Sequence, residues 1–378
     1  MGLNICAVTS SRSDYGLLKP LFNSLKDDNN ICLKIVATGS HLSSNYGLTF
    51  RQIIKDGFQI SAYLETIDTI DNIQSIAKAM NLTLSKFVDY LIESKPDILL
   101  LLGDRYEIFS AATAATLLNI PIAHIHGGET TEGAFDNAFR NAITKMSRYH
   151  FVASQEFANQ VIKMGEASEK VFNVGALGID ALASTKLLSK NEIEQKLNIQ
   201  FLDKILLITY HPETLSAIQP KKQIEIILQS LNSIKNTTLV FTLPNADTQS
   251  NSIIDQLNKF VSKHPHAYLF DSLGHELYFS LANISDAIIG NSSSGIIEIP
   301  YLRKYTLNIG NRQKGRPMAM SVINVELSAN EISSSIGYIY KNKDSLGELQ
   351  YKLPYGESGA SVRIHTILKQ IGHSLSVS

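Results

Sequence analysis

The sequence predicts an α/β protein built as two doubly wound, Rossmann-like domains in series. Three observations carry that reading. At 378 residues the chain is longer than one hydrophobic core usually serves. Short, continuously apolar runs alternate with longer helical patterns, as in parallel strands covered on both faces. The alternation then starts again after a polar stretch, STKLLSKNEIEQKL at 184–197. The expected domains are 1–180 and 181–360, with a boundary near 175–200 and a final segment, 361–378, returning to the first domain.

In the first half, strands are expected at 3–8 (LNICAV), 31–37 (ICLKIVA), 97–102 (DILLLL), 121–125 (PIAHI), 149–153 (YHFVA) and 170–174 (KVFNV). Between them, Ile73, Ile76, Met80, Leu84, Phe87, Val88 and Leu91 recur at three- and four-residue steps, one apolar face of a helix over 73–92. Residues 108–118 are rich in Ala and Leu, which suits a helix packed tightly on a sheet. In the second half, strands are expected at 205–209, 238–243, 267–270, 286–290 and 305–309, and helices at 223–235, 250–262, 274–283 and 294–301. The last helical pattern is 361–372 (SVRIHTILKQIG).

Composition narrows the function. Hydrophobic residues make up 44% and charged residues 18%, the balance of a soluble globular protein. A net charge of −1 gives no reason to invoke nucleic acid or an anionic membrane. No apolar run approaches a membrane span, and residues 1–8 are too short for a signal-peptide core, so a cytoplasmic protein is expected. Cys6 and Cys32 both fall in strand-like runs and are expected as small core residues of a reduced protein.

In open parallel sheets, ligands sit beyond the carboxyl ends of the strands. Seven expected strands end in chemically loaded segments: TSSRSDYG, GDRYE, HGGETTEG, YHPET, PNADTQS, NSSSG and GNRQKGR. Two facing crests of this kind predict an interdomain cleft. Gly290–Gly295 leads into a helix expected near Ser294, where backbone N–H groups and the helix dipole favour an anion. A serine-rich N-cap alone would explain that segment, but its neighbours add to it. Glu298, one turn on, suits two ribose hydroxyls. Arg312 and Arg316 follow the next strand, and arginine forks suit phosphate. His211, at another strand end, could donate to a diphosphate or act as an acid. Together these residues read as a nucleoside diphosphate site.

The first domain offers Arg12, Asp14, Asp104, Arg105, His126, Glu129 and Asp136. Asp104 is expected to be partly buried, where desolvation favours proton transfer, or to cap the following helix. His124 lies on a strand and reads as structural. His126, Glu129 and Asp136 lack zinc-ligand spacing, and the sequence has neither a Walker lysine motif nor GxGxxG. Neither a metal nor a cofactor is expected.

The motifs GDRYE, HIHGGE, RNAITK, YHPET, IGNSSSGIIE and GNRQKGR occur in one order along nearly the whole chain. In that set the sequence resembles the hydrolysing UDP-N-acetylglucosamine 2-epimerases of bacterial sialic acid synthesis. The resemblance implies the GT-B architecture and a reaction in two stages. UDP-N-acetylglucosamine loses UDP by anti elimination, leaving 2-acetamidoglucal, and water adds to give N-acetylmannosamine. By motif, Asp104 and Asp136 are the favoured carboxylates, with His126, Glu129 and His211 as further catalytic candidates. Arg12, Arg105, His211, Ser292, Ser293, Glu298 and Arg312 are implied to hold UDP, along with Asn245 and Asp247 from a nearby loop, and Leu273 is placed where uracil meets the backbone. The family also implies a homodimer or homotetramer. His126 stands where several members carry glutamate (HIEGGE), so its proton transfer falls to His126, Glu129 or Asp136. Non-hydrolysing relatives typically carry GDT where this chain has Gly103-Asp104-Arg105. Two alternatives remain: the same reaction on UDP-N,N′-diacetylbacillosamine, on the route to legionaminic acid, and a GT-B UDP-sugar glycosyltransferase.

Overall fold

The computed structural model describes residues 2–66, 73–130, 136–213, 216–244, 250–346 and 352–377. The chain forms two compact units, one built on Met1–Glu129, Phe135–Ala181 and Tyr355–Ser378, the other on Leu182–Pro354. The described residues of the first unit carry a parallel sheet of β1 (Leu3–Thr9), β2 (Ile31–Thr38), β3 (Ile60–Leu64), β4 (Ile98–Leu102), β5 (Ile122–Ile125), β6 (Tyr149–Val152) and β7 (Val171–Asn173). Those of the second carry β8 (Lys204–Thr209), β9 (Thr237–Thr242), β10 (Ala267–Phe270), β11 (Ala287–Gly290), β12 (Tyr305–Ile309) and β13 (Val322–Val325). The sheet orders are β3-β2-β1-β4-β5-β6-β7 and β10-β9-β8-β11-β12-β13, and every pairing is parallel. Both units are therefore doubly wound, as expected. Each has a topological switch point, at β1/β4 and at β8/β11, where ligands bind in such sheets.

Both sheets are buried on two faces, which is why their strands are continuously apolar. Along β1, Leu3, Ile5 and Ala7 join a cluster with Leu18, Leu21 and Phe22 of the helix Arg12–Lys26. Cys6 and Val8 point the other way, towards Phe87, Leu91, Ala111 and Ala115. In β8, Leu206 and Ile208 serve one core while Ile205 and Leu207 serve the other. The C-terminal helix Ala360–Val377 inserts Ile364 and Leu368 into the same cluster as the helix Arg12–Lys26. No helix among the described residues is long and apolar enough to cross a membrane.

Four local expectations need correction. β3 and β13 were not anticipated; both are sheet edges, and β3 alternates buried and exposed residues instead of being apolar throughout. Cys32 is exposed, because β2 begins where the sheet rim meets solvent; only Cys6 is a core thiol, and burial pushes it up to about 12. In the helix Ile73–Ser94, Ile73 is 84% exposed, whereas Ala79 and Thr83 are buried. Small residues let that helix lie close to the alanine-rich helix Tyr106–Leu117, which the apolar pattern alone did not reveal. The helix expected over 294–301 is a single turn, Ser294–Ile297, followed by a 3-10 turn, Ile299–Leu302. Pro300 has no N–H with which to continue the α-helical ladder.

Candidate functional site

At the β8/β11 switch point, the chain's small and polar residues have specific tasks. Gly290 has φ +136, and a Cβ there would lie 1.8 Å from the Thr209 carbonyl oxygen, so glycine is what allows β11 to end against β8. Asn291 then ties the two strand ends together. Its Oδ1 accepts the His211 backbone N–H at 2.7 Å, and its Nδ2 donates to the His211 carbonyl at 2.9 Å. Gln313, from the loop after β12, donates to the Asn291 carbonyl at 2.8 Å and accepts from Arg316 at 2.9 Å. The two glycines of this segment make room for the protein itself. Gly290 admits neighbouring backbone, and Gly295 admits the Thr306 side chain, 2.7 Å from where its Cβ would sit. Ser292 is half-buried and Ser293 exposed, so this part of the loop does face solvent.

His211 is buried, and burial, with the Arg312 guanidinium beside it, pushes its imidazole down to about 3. At neutral pH it is an uncharged ring. In that form it can give one hydrogen bond. Glu298 is buried at the end of the short turn, and Leu273 is the buried N-cap of the helix Gly274–Ile284. Asn245 and Asp247 lie outside the described residues.

In the first unit, the ends of β4 and β5 and the helix Asp136–Met146 gather one ionic cluster. Its centre is Arg140, which is buried. Arg140 Nε donates to Asp104 Oδ2 at 3.1 Å and Nη2 donates to the same oxygen; Nη1 donates to Glu129 Oε2 at 3.4 Å. Burial works against the Arg140 charge, but Asp104, Glu129 and Asp136 outweigh it and hold the guanidinium firmly protonated. His126 Nδ1 stands 3.5 Å from Glu129 Oε1. Its backbone is left-handed, φ +65, a strained setting for a residue with a side chain and one often found at functional positions. His124 supports the turn from below. Its Nε2 lies 2.8 Å from the Gly103 carbonyl, which can only accept, so the proton is on Nε2. Burial holds that ring neutral, with a pKa of about 3.

Asp104 and Glu129 thus share Arg140, with His126 beside Glu129 and Asp136 close enough to act on the Arg140 charge. Asp104 does not cap the helix Tyr106–Leu117; Arg105 occupies the N-cap position. Arg105 forks onto Glu107, with contacts of 3.1 and 3.0 Å, and Glu107 is fully buried. Nearby, Asp14 accepts from Ser10 Oγ at 2.6 Å, and burial raises its pKa although Arg105 opposes the rise. Arg12 starts the helix Arg12–Lys26 and is exposed. The sequence reading did not single out Arg140, Glu107 or Asn291. Arg140 had a visible signal, lying four residues after Asp136 on a helix, where side chains meet. Asn291 acts through contacts distant in sequence, with His211 and Gln313, whereas Glu107 pairs with Arg105 two residues before it. Among the described residues no three His, Cys, Asp or Glu side chains are grouped to hold a metal ion.

The family model described as UDP-N-acetylglucosamine 2-epimerase matches residues 23–369. A GDP/UDP-N,N′-diacetylbacillosamine 2-epimerase (hydrolyzing) of Campylobacter jejuni is 39% identical, over 86% of this chain and 84% of its own length. The polysialic acid biosynthesis protein P7 of Escherichia coli is 37% identical, over 97% of this chain and 93% of its own. In fold, the chain matches the crystal structure of UDP-GlcNAc 2-epimerase from Neisseria meningitidis bound to UDP-GlcNAc, with a TM-score of 0.82 and 22% identity, covering 97% of this chain and 100% of that one. This is the GT-B pattern of two parallel-sheet domains. With its ordered motifs, its two switch-point crests and relatives alike over most of their length, the chain belongs to the UDP-N-acetylglucosamine 2-epimerase family.

Proposed function

We propose that the protein is a hydrolysing 2-epimerase that converts UDP-N-acetylglucosamine and water to N-acetylmannosamine and UDP. The observation that carries this reading is the cluster of Asp104, Glu129 and Asp136 around Arg140, with His126 beside it. A protein that only binds a UDP-sugar has little use for three carboxylates and an imidazole at its strand ends. An elimination followed by hydration must remove one proton and return another.

The proton at C2 is weakly acidic, so departure of UDP has to lead. In the second unit, Arg312, the neutral His211 and the Ser292–Ser293 backbone stabilise charge on the departing diphosphate, while Glu298 takes the ribose hydroxyls and Leu273 borders uracil. The family resemblance implies that Arg12 and Arg105 also hold UDP. The C1–O bond breaks with its electron pair leaving on the β-phosphate oxygen. The C2 proton passes to a carboxylate, for which Asp104 and Asp136 are the leading candidates, and the C1=C2 bond forms. Water then adds its oxygen to C1 and gives up a proton to an ionised carboxylate of the cluster. A proton returns to C2 on the opposite face, from His126, Glu129 or Asp136, and this inverts the centre.

A second sugar is supported by the Campylobacter relative, whose name gives the diacetylbacillosamine substrate. Both sugars present the same C1 and C2, so one mechanism serves either. The test is incubation with each UDP-sugar alone, without acceptor. Release of UDP and the free 2-epimeric sugar from one of them supports the reading and fixes the substrate. Return of a UDP-linked epimer would refute the hydrolytic step, and absence of turnover with both would favour a glycosyltransferase.

A further inference from the structure

We propose that Glu213 is a positioning residue for the diphosphate site, fixing the loop after β12 and through it the Arg312 guanidinium. The inference rests on the reading that Arg312 holds the diphosphate. Glu213 lies two residues beyond His211, past the carboxyl end of β8. Its Oε1 accepts the backbone N–H of Asn311 at 2.9 Å and that of Arg312 at 3.1 Å.

The carboxylate stands on a secured backbone. The Glu213 N–H donates to Gln223 Oε1 at 3.1 Å, and its carbonyl accepts from Gln223 Nε2 at 3.1 Å. Gln223 is fully buried, also donates to the Ile218 carbonyl at 2.7 Å, and accepts from the Tyr210 hydroxyl at 3.2 Å. Gly310 makes room for this contact: its φ is +79, and a Cβ there would lie 2.5 Å from Glu213 Oε1. Beyond Arg312, Gln313 fastens the loop to Asn291. The loop is therefore held on both sides of Arg312, by Glu213 before it and Asn291 after it.

A carboxylate beside an anion site is electrostatically unfavourable, since it repels the ligand. Its presence is explained if ordering the Arg312 backbone outweighs that repulsion, because a pre-placed guanidinium loses less freedom on binding. The two effects have opposite signs in one experiment. If Glu213 acts only as a nearby charge, Glu213→Ala tightens UDP binding. If it positions Arg312, Glu213→Ala weakens binding, by about tenfold, and raises KM while kcat changes by less than about threefold.

UDP affinity is measured by calorimetry for the full chain and for Glu213→Ala, Glu213→Gln, Arg312→Ala and the Glu213→Ala/Arg312→Ala double variant, with circular dichroism confirming that each is folded. Glu213→Gln keeps an acceptor for the two N–H groups without the charge, so it should bind UDP within about threefold of the wild type. The double variant should bind no more weakly than Arg312→Ala, because a residue acting through Arg312 has nothing left to position. Wild type and Arg312→Ala separate the two layers of the reading. Loss of affinity in Arg312→Ala, together with unchanged or tighter binding in Glu213→Ala, overturns the role of Glu213 alone. A wild type that does not bind UDP, or an Arg312→Ala variant that binds it normally, overturns the nucleotide site itself.

Discussion

Arg140 is a cation that Asp104 and Glu129 share, and it is buried together with Glu129. Removing one partner from a buried ionic cluster leaves the others uncompensated, so Arg140→Met should lower stability by about 3 kcal/mol in urea unfolding and also reduce turnover. Asp104→Asn is a gentler change. It keeps shape and one acceptor, so the fold and UDP binding should survive, yet turnover should fall at least about a hundredfold if the carboxylate takes or steers the C2 proton. An Asp104→Asn enzyme running at near wild-type rate removes Asp104 from the mechanism. At this scale the sequence was informative where a residue's place follows from its own strand. Asp104 comes one glycine after five apolar residues, so its position at a strand end could be read directly. Arg140 stood inside a recognised motif, but its role depends on three elements meeting, and spacing along one of them cannot show that.

The helix Ala360–Val377 is secured at both ends of its first half by carboxylates from distant segments. Asp180 accepts the N–H groups of Gly359, Ala360 and Ser361 at 2.5, 3.1 and 2.6 Å, which satisfies donors that the helix itself leaves open. Asp180→Ala should cost about 1–2 kcal/mol, read as a lower urea midpoint. Asp28 accepts from Lys369 at 2.8 Å and His365 at 2.9 Å, and Lys369, the Asn30 N–H and His365 together hold its carboxyl well below the usual carboxylate range. A carboxyl depressed in the folded state adds stability above its unfolded value, about 4, and loses it as pH falls further. At pH 6, amide exchange in this helix should be faster in Asp28→Asn than in the wild type. The gap should close as the pH drops below about 4. A gap that persists unchanged in acid would rule out the ion pairs as its cause. The helix was legible from its apolar period, and the buried strands from their continuity. The edge strands β3 and β13 were not, because Ser61 and Ala62 interrupt the apolar run of the one and Asn324 that of the other, whereas the edges β7 and β10 kept readable apolar runs.

The chain visits the first unit twice, once before Leu182 and again after Pro354. The second visit is not a surface ornament. Ala360, Ile364, Leu368 and Ile371 are buried in the cluster that holds Leu3, Ile5 and Phe22. The second unit, by contrast, has its own two clusters drawn wholly from residues 188–346. Stability should follow this division. Leu368→Ala opens a cavity in the first unit and should cost about 2–5 kcal/mol there. Ending the chain at Pro354 removes a whole wall of that core along with the partner of Asp180. Limited proteolysis of the truncated protein should then digest the first unit quickly and leave a fragment close to 182–354, whose calorimetric UDP affinity would report on the second unit alone. Equal protease resistance of the first unit with and without 355–378 would show that the returning helix is dispensable to that core.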